Sequence, residues 1–445
     1  MSLPAVAFSV KARRTAEPPI STLIAMALAN PNLINFAAGL VDPLTLPTDE
    51  TADLATAILR DDPRARAALQ YDTTLGLKPL RQKLFEHLTS LEGKTAAAMG
   101  FGANDILVTT GSQQSLYLIA ESLIDEGDIV LAENPSYFVY TGALASFGAR
   151  VMAVPMDESG MRVDLLEQLL QRLETTGEIA RVKFIYVTSY YQNPTGLSLA
   201  TPRRAKLLEL AKRFSKSHRI LVLEDAAYRE LRYDGPVLPS IKGMEGANEY
   251  CIYAGTFSKP FSPGIKTGYA VMPPDVLEAA LRQKGNHDFG SAALCQYVAL
   301  EAMVSGVYKR HVDRLCASYR AKRNATLAAL ERHMAGIAGV SWVRPDGGLY
   351  VWMTLPDSVD TSRTGMFKDA ADAGVLYVPG DYCMTPDLIT GKVATHSLRL
   401  CFGSVPPEQI EPGIARLAGV IRKRLADAAG AGTAAKAVAV LERVG

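Results

Sequence analysis

The 445-residue sequence has almost no surplus charge: 47 lysines and arginines stand against 46 aspartates and glutamates, leaving a formal net charge of +1. A domain that tracks nucleic acid or an anionic membrane carries a basic footprint, and this chain has none. Cysteine is scarce. Cys251, Cys295, Cys316, Cys383 and Cys401 form no CxxC pair and no spacing suited to zinc, and six scattered histidines do not supply a metal site. With no disulfide framework, the expected compartment is the reducing cytoplasm. No uninterrupted apolar run approaches the roughly 20 residues a membrane span needs. The first 14 residues place apolar side chains before basic ones, the reverse of a secretory leader. A soluble intracellular protein is the expectation.

Several common enzyme motifs are missing too. No GxGxxG follows a strand. Gly93-Lys94-Thr95 resembles the end of a phosphate-binding loop, but Leu88 stands where its first glycine is needed. Gly196-Leu197-Ser198-Leu199-Ala200 lacks the last glycine of a nucleophile elbow.

What is present is an ordinary globular composition, 48% hydrophobic and 21% charged, with a strongly patterned middle. Candidate strands at 106–110, 128–132, 150–154, 182–188, 220–224, 250–254 and 267–271 alternate with amphipathic stretches such as 113–124, 163–174 and 201–214. This alternation predicts an α/β fold with a mostly parallel, seven-stranded sheet covered by helices. Residues 1–50 read as an arm with one short helix near 20–29, packing with the smaller domain, and helices are expected at 50–60 and 77–90. The large domain is placed at 51–300. Residues 291–335 read as one long helix leading to a smaller α/β domain at 301–426, with strands near 349–353, 375–378 and 397–401. An Ala/Gly-rich tail, 427–445, is expected to be loosely tied down.

Ligands of such sheets sit beyond the carboxyl ends of the strands, and polar motifs stand there. Gly111-Ser112-Gln113 opens a helix, whose free N–H groups suit an anion. Further along come Tyr137 in Asn-Pro-Ser-Tyr, Asn193 in Gln-Asn-Pro-Thr-Gly, and Asp225 followed by Tyr228. The richest stretch is 254–269, where Lys259 lies between two strands in a loop of Ser, Thr, Pro and Gly, with Lys266 seven residues on. A lysine shielded from water can lose its proton and attack a carbonyl carbon. Lys266 with the hydroxyls of Thr256 and Ser258 suits a phosphate. An aldehyde bearing a phosphate describes pyridoxal 5′-phosphate, although each piece alone also fits something plainer: a surface lysine, a helix cap at Asp225, a turn at Asn193, a core aromatic at Tyr137.

Taken together and in order, these motifs resemble the fold-type I, pyridoxal-phosphate-dependent aminotransferases of class I and II. Their flavour is that of the branch holding 2-aminoadipate and kynurenine aminotransferases and the aminotransferase domains of GntR-type regulators. The resemblance spans about residues 20–425. It implies that Lys259 holds the cofactor as a Schiff base and later moves a proton, while Asp225 pairs with the pyridine nitrogen. Tyr228 and Asn193 would donate to the ring oxygen, and Tyr137 would stack on the ring. Gly111, Ser112, Gln113, Thr256, Ser258 and Lys266 would form the phosphate cup. Arg399, in Ser-Leu-Arg-Leu-Cys-Phe, would grip the substrate carboxylate beside Asn193 and Gly39. Tyr71 would cross from the other subunit of a homodimer to the phosphate. The implied activity is amino transfer between an L-α-amino acid and a 2-oxo acid, with 2-oxoglutarate the expected acceptor, by a ping-pong cycle. A lyase, racemase or decarboxylase on the same scaffold is the alternative within this chemistry, and a ligand-sensing module is the alternative outside it. Two departures stand out: Lys266 replaces the usual arginine, which loses the bidentate fork, and Ala38-Gly39 replaces a frequent glycine pair.

Overall fold

The computed structural model describes residues 5–386 and 390–441; the first four residues of the start and the last four of the tail lie outside them. Its central layer is one eight-stranded sheet. In chain order the strands are β1 (Ile106–Thr109), β2 (Ile129–Asn134), β3 (Arg150–Asp157), β4 (Gly160–Met161), β5 (Val182–Thr188), β6 (Leu221–Asp225), β7 (Cys251–Thr256) and β8 (Gly268–Val271). Across the sheet they run β1-β8-β7-β6-β5-β2-β3-β4. The pairs from β7 to β3 are parallel, while β8 is antiparallel to both of its neighbours.

The residue pattern explains why this sheet is covered on both sides. Ile129, Leu131, Ile185 and Val187 enter one apolar cluster with Leu166, Leu170 and Leu207. Their alternates, Val130, Ala132, Phe184 and Tyr186, enter a second cluster with Leu116, Ile119 and Tyr140. Strands apolar at every position can only be buried on both faces, and helices supply both covers.

The seven expected strands are all present; the eighth, β4, was not expected. It is two residues long, too short to show a period, and forms a hairpin on β3 across the turn Glu158-Ser159, with Gly160, at a φ of +89°, pairing with Asp157. A second correction concerns 291–335. It is two helices, Ala293–Val304 and Val307–Met334, because Gly306 takes a left-handed φ of +75° at the junction. A further short helix, Asp62–Ala68, starts on Pro63, which is favourable in a first turn.

Beyond Val307–Met334 the chain builds a four-stranded antiparallel sheet: β9 (Ser341–Trp342), β10 (Tyr350–Thr354), β11 (Val378–Pro379) and β12 (Ser397–Cys401), in the order β9-β10-β12-β11. Ile34–Asn35 pairs in parallel with Val375–Leu376 in a separate two-stranded sheet. The last helix, Pro407–Leu441, packs on Val307–Met334 and carries residues 428–437, expected as a loose tail, as helical backbone. Among the described residues no helix is long and apolar enough to cross a membrane.

Candidate active site

The carboxyl ends of the parallel strands converge on one cavity of about 230 Å³. After β1 come Gly111, Ser112 and Gln113, the last two opening the helix Ser112–Leu123. Gly111 turns the chain with a φ of +74°. Opposite it, a side chain at Gly268 would lie 2.5 Å from the backbone of Gly111 and Ser112, so only glycine lets β8 approach this turn. Because β8 runs antiparallel, its entry residue Lys266 reaches the same edge. Thr256 ends β7 and Ser258 and Lys259 follow it, Asp225 ends β6, and Asn193 follows β5; all line the cavity with Tyr137, Thr188 and Tyr228. Eleven side chains or turns read from separate motifs thus meet in one place.

The electrostatics run in opposite directions at the two ends. Asp225 is buried and makes no ion pair among the described residues. Its oxygens accept from the Ala227 N–H at 3.1 Å and the Tyr186 hydroxyl at 3.0 Å. Burial pushes its carboxyl up from 3.8 to about 6. No helix follows Asp225, so its role as a helix cap is excluded. At the other end stand a helix N-terminus, which favours an anion, and Lys266. The Lys259 amine donates to the Gly39 carbonyl at 2.8 Å. Although the residue opens to the cavity, its amine is enclosed, and burial lowers it to about 8. Thr256 Oγ1 accepts from the Ser258 N–H at 3.1 Å and so shapes the lysine loop.

Arg399 lies one layer behind the cavity wall, on β12. Its Nη1 donates to Asn193 Oδ1 and its Nη2 to the Ala37 carbonyl, each at 2.7 Å. The guanidinium lies 4.4 Å from the Tyr350 ring and 5.8 Å from the Phe138 ring. Its Nε, buried, has no partner among the described residues. Gly39 faces this layer: a Cβ there would meet the Tyr350 hydroxyl at 2.7 Å.

Tyr71 is not at the cavity. It is 87% exposed, beside a second surface hollow shared with Gln70, Asp72, Phe289 and Gly290.

Four residues of the site were not anticipated from sequence. Tyr186 and Thr188 alternate along β5 inside an apolar run, where nothing distinguishes them from core. Tyr350 sits on β10, in the four-stranded sheet. Glu133, at the end of β2, accepts from the Thr188 N–H at 2.9 Å and from Gln192 Nε2 at 2.6 Å. Burial pushes its carboxyl up to about 8. Gln192 in turn accepts from the Thr195 hydroxyl at 2.6 Å, so Glu133 braces the loop that presents Asn193. Only Asn134-Pro135, just after it, gave a hint of a turn there.

An enclosed amine of lowered basicity, an anion-favouring helix end and a buried carboxylate awaiting a cation make a site for a phosphorylated, carbonyl-bearing aromatic base. Comparison with known proteins agrees. The family model "Aminotransferase class I and II" matches residues 31–417. The 2-aminoadipate transaminase of Thermus thermophilus is 35% identical over 89% of this chain and 92% of its own. The aromatic-amino-acid aminotransferase 1 of Thermococcus litoralis is 34% identical over 88% and 89%. The structure of Pyrococcus horikoshii kynurenine aminotransferase, in complex with PMP, superposes with a TM-score of 0.85 at 34% identity, covering 94% of this chain and 97% of that one. The chain belongs to the class I and II aminotransferases, fold-type I enzymes that work with pyridoxal 5′-phosphate.

Proposed function

We propose that this aminotransferase moves the amine of an L-α-amino acid to a 2-oxo acid in two half-reactions at the single cavity around Lys259, with 2-oxoglutarate as the acceptor. The observation that carries the reading is Lys259. Its amine is enclosed and near neutrality in basicity, in one cavity with a cation-seeking Asp225 and one hydrogen bond, through Asn193, from a guanidinium.

The residues fit the cofactor. Asp225, buried without a cation, would hold the ring nitrogen's proton; that contact would repay the burial that now raises its carboxyl. The N-terminus of Ser112–Leu123, the hydroxyls of Thr256 and Ser258, and Lys266 would hold the phosphate. Tyr137 would cover the ring. When bound, pyridoxal phosphate supplies the carbonyl that takes up the amine and the ring that withdraws electrons from Cα.

Lys259 would hold the cofactor through its amine, and the freed amine would serve as general base and acid on the Cα proton. A value of about 8 leaves a useful unprotonated fraction at neutral pH. Arg399 gives the substrate carboxylate two parallel N–H donors once the Ala37 carbonyl yields its place, and this fixes which Cα bond faces the reacting group. Tyr228 and Asn193, both lining the cavity, would donate to the ring oxygen.

The active unit is a homodimer, with Tyr71 reaching the partner's phosphate. Leu69, Tyr71 and Phe289 support this, as large, exposed side chains gathered at one hollow. The five free cysteines fit work in a reducing cytoplasm.

A half-reaction tests the proposal. Cofactor-loaded enzyme mixed with a panel of amino acids, without acceptor, is expected to release one keto acid per site and stop until 2-oxoglutarate is added. Decarboxylation, or racemisation with no keto acid formed, would refute amino transfer by these residues.

A further inference from the structure

The Tyr350 hydroxyl belongs to no motif, yet it lies 2.9 Å from the Tyr228 hydroxyl. Counting hydrogens decides what it does. Each phenol has one proton to give and lone pairs to accept with. Burial raises both groups, Tyr228 well above its usual value and Tyr350 to about 12, so both protons stay in place near neutral pH. Tyr228 lines the cavity; Tyr350 does not. Among the described residues Tyr228 is the one hydrogen-bond partner of the Tyr350 hydroxyl. Either hydroxyl can donate in the shared contact; a buried hydroxyl proton left without an acceptor is costly, and with a cavity ligand as the acceptor for Tyr228 the arrangement that leaves no proton unpaired is the one in which Tyr350 donates. The Tyr228 proton is then free to point into the cavity.

We infer that Tyr350 is a positioning residue for the reaction: it donates to the Tyr228 oxygen, aims the Tyr228 proton at the cofactor's phenolic oxygen and strengthens that donation. The inference rests on the assignment of Tyr228 to that oxygen. Successive hydrogen bonds polarise one another, which makes Tyr228 the better donor. The fold holds the arrangement in place. The Tyr350 ring meets Tyr228 edge to face at 5.6 Å, and the Arg399 guanidinium lies over it at 4.4 Å. A side chain at Gly39 would strike its hydroxyl. The charged and titratable groups facing the pair are Arg399, the Lys259 amine at 5.8 Å from the Tyr228 ring, Tyr137, Cys383 and Cys401. Since Tyr350 comes from the small domain and Tyr228 from the large one, this contact ties the cofactor's acidity to how the two domains meet.

The test is the pH midpoint of the cofactor's visible band in loaded wild type, Tyr228→Phe, Tyr350→Phe and the double variant. Donation to the phenolic oxygen stabilises its anionic form and keeps the midpoint low. Tyr350→Phe is therefore expected to raise it by roughly half to one pH unit, three- to tenfold in acidity, the size one hydrogen bond sustains. Tyr228→Phe is expected to raise it further, and the double variant to match Tyr228→Phe, because Tyr350 acts through Tyr228. A Tyr350→Phe titration that overlays wild type while Tyr228→Phe shifts would overturn the inference alone. A double variant that adds the two shifts would overturn it as well. If Tyr228→Phe itself leaves the midpoint unmoved, the assignment of Tyr228 falls and the inference with it.

Discussion

Replacing Asp225 with asparagine is expected to make the cofactor-free protein more stable and the enzyme inactive. Folding raises this carboxyl from 3.8 to about 6, with burial the largest cause. The folded value is above the unfolded one, so folding disfavours the charged form. Stability is therefore full below about pH 4, declines between about pH 4 and 6, and stays reduced above that. At about 1.4 kcal/mol per pH unit, the rise costs the wild type about 3 kcal/mol at pH 8 and about half as much at pH 5. Asparagine is neutral at every pH and keeps an acceptor for the Ala227 N–H and a polar partner for Tyr186. With about 2 cal/mol/K of unfolding entropy for each of 445 residues, 3 kcal/mol corresponds to a Tm about 3 °C higher. Scanning calorimetry of both cofactor-free proteins at pH 5 and pH 8 reads this directly. Pyridoxal phosphate should invert the order, since only the aspartate gains a cationic partner from it. An asparagine variant that melts below wild type at pH 8, or whose advantage is the same at pH 5, would refute the claim that Asp225 is buried at a cost which the cofactor offsets.

Two other substitutions probe the ends of the site. Lys266→Arg restores a fork for the phosphate and should tighten cofactor binding several-fold, roughly 1 kcal/mol; reconstitution of cofactor-free protein at graded pyridoxal phosphate concentrations checks it, and unchanged affinity would show that the charge alone matters. Arg399→Lys gives up one of two 2.7 Å contacts, worth about 1.5–3 kcal/mol for a charged donor. It should lower kcat/KM roughly 10- to 150-fold for every amino acid tested, and a loss confined to one donor would mean that Arg399 reads the side chain instead.

Legibility in the sequence followed the range of the interaction. Lys259, Asp225, Asn193 and Ser112 could be found because each stands just past an apolar strand, and strand ends are written locally by a switch from β-branched residues to Gly, Pro and Ser. Tyr186 could not. It lies inside β5 with Phe184 on its own face, and only the arrival of Asp225 from the next strand makes its hydroxyl functional. Glu133 was equally hidden, since its partners Thr188 and Gln192 are 55 and 59 residues away. The extra strand β4 escaped because two residues carry no period, and the break at Gly306 because one glycine inside a helical pattern is compatible with either outcome until its φ is known.

The sequence by itself determined the order of strands and helices, the burial of the large sheet on both faces, and the residue types gathered at its carboxyl edge. These follow from periodicity and from backbone preferences that act over a few residues. The tertiary structure decided what those residues meet: that Arg399 bonds Asn193 across 206 positions, that the Gly39 carbonyl receives the Lys259 amine, and that Tyr350 rests on Tyr228. It also decided the acidity of each group. Basicity in this site is set by how completely water is excluded, and exclusion belongs to the packed chain and not to any stretch of it.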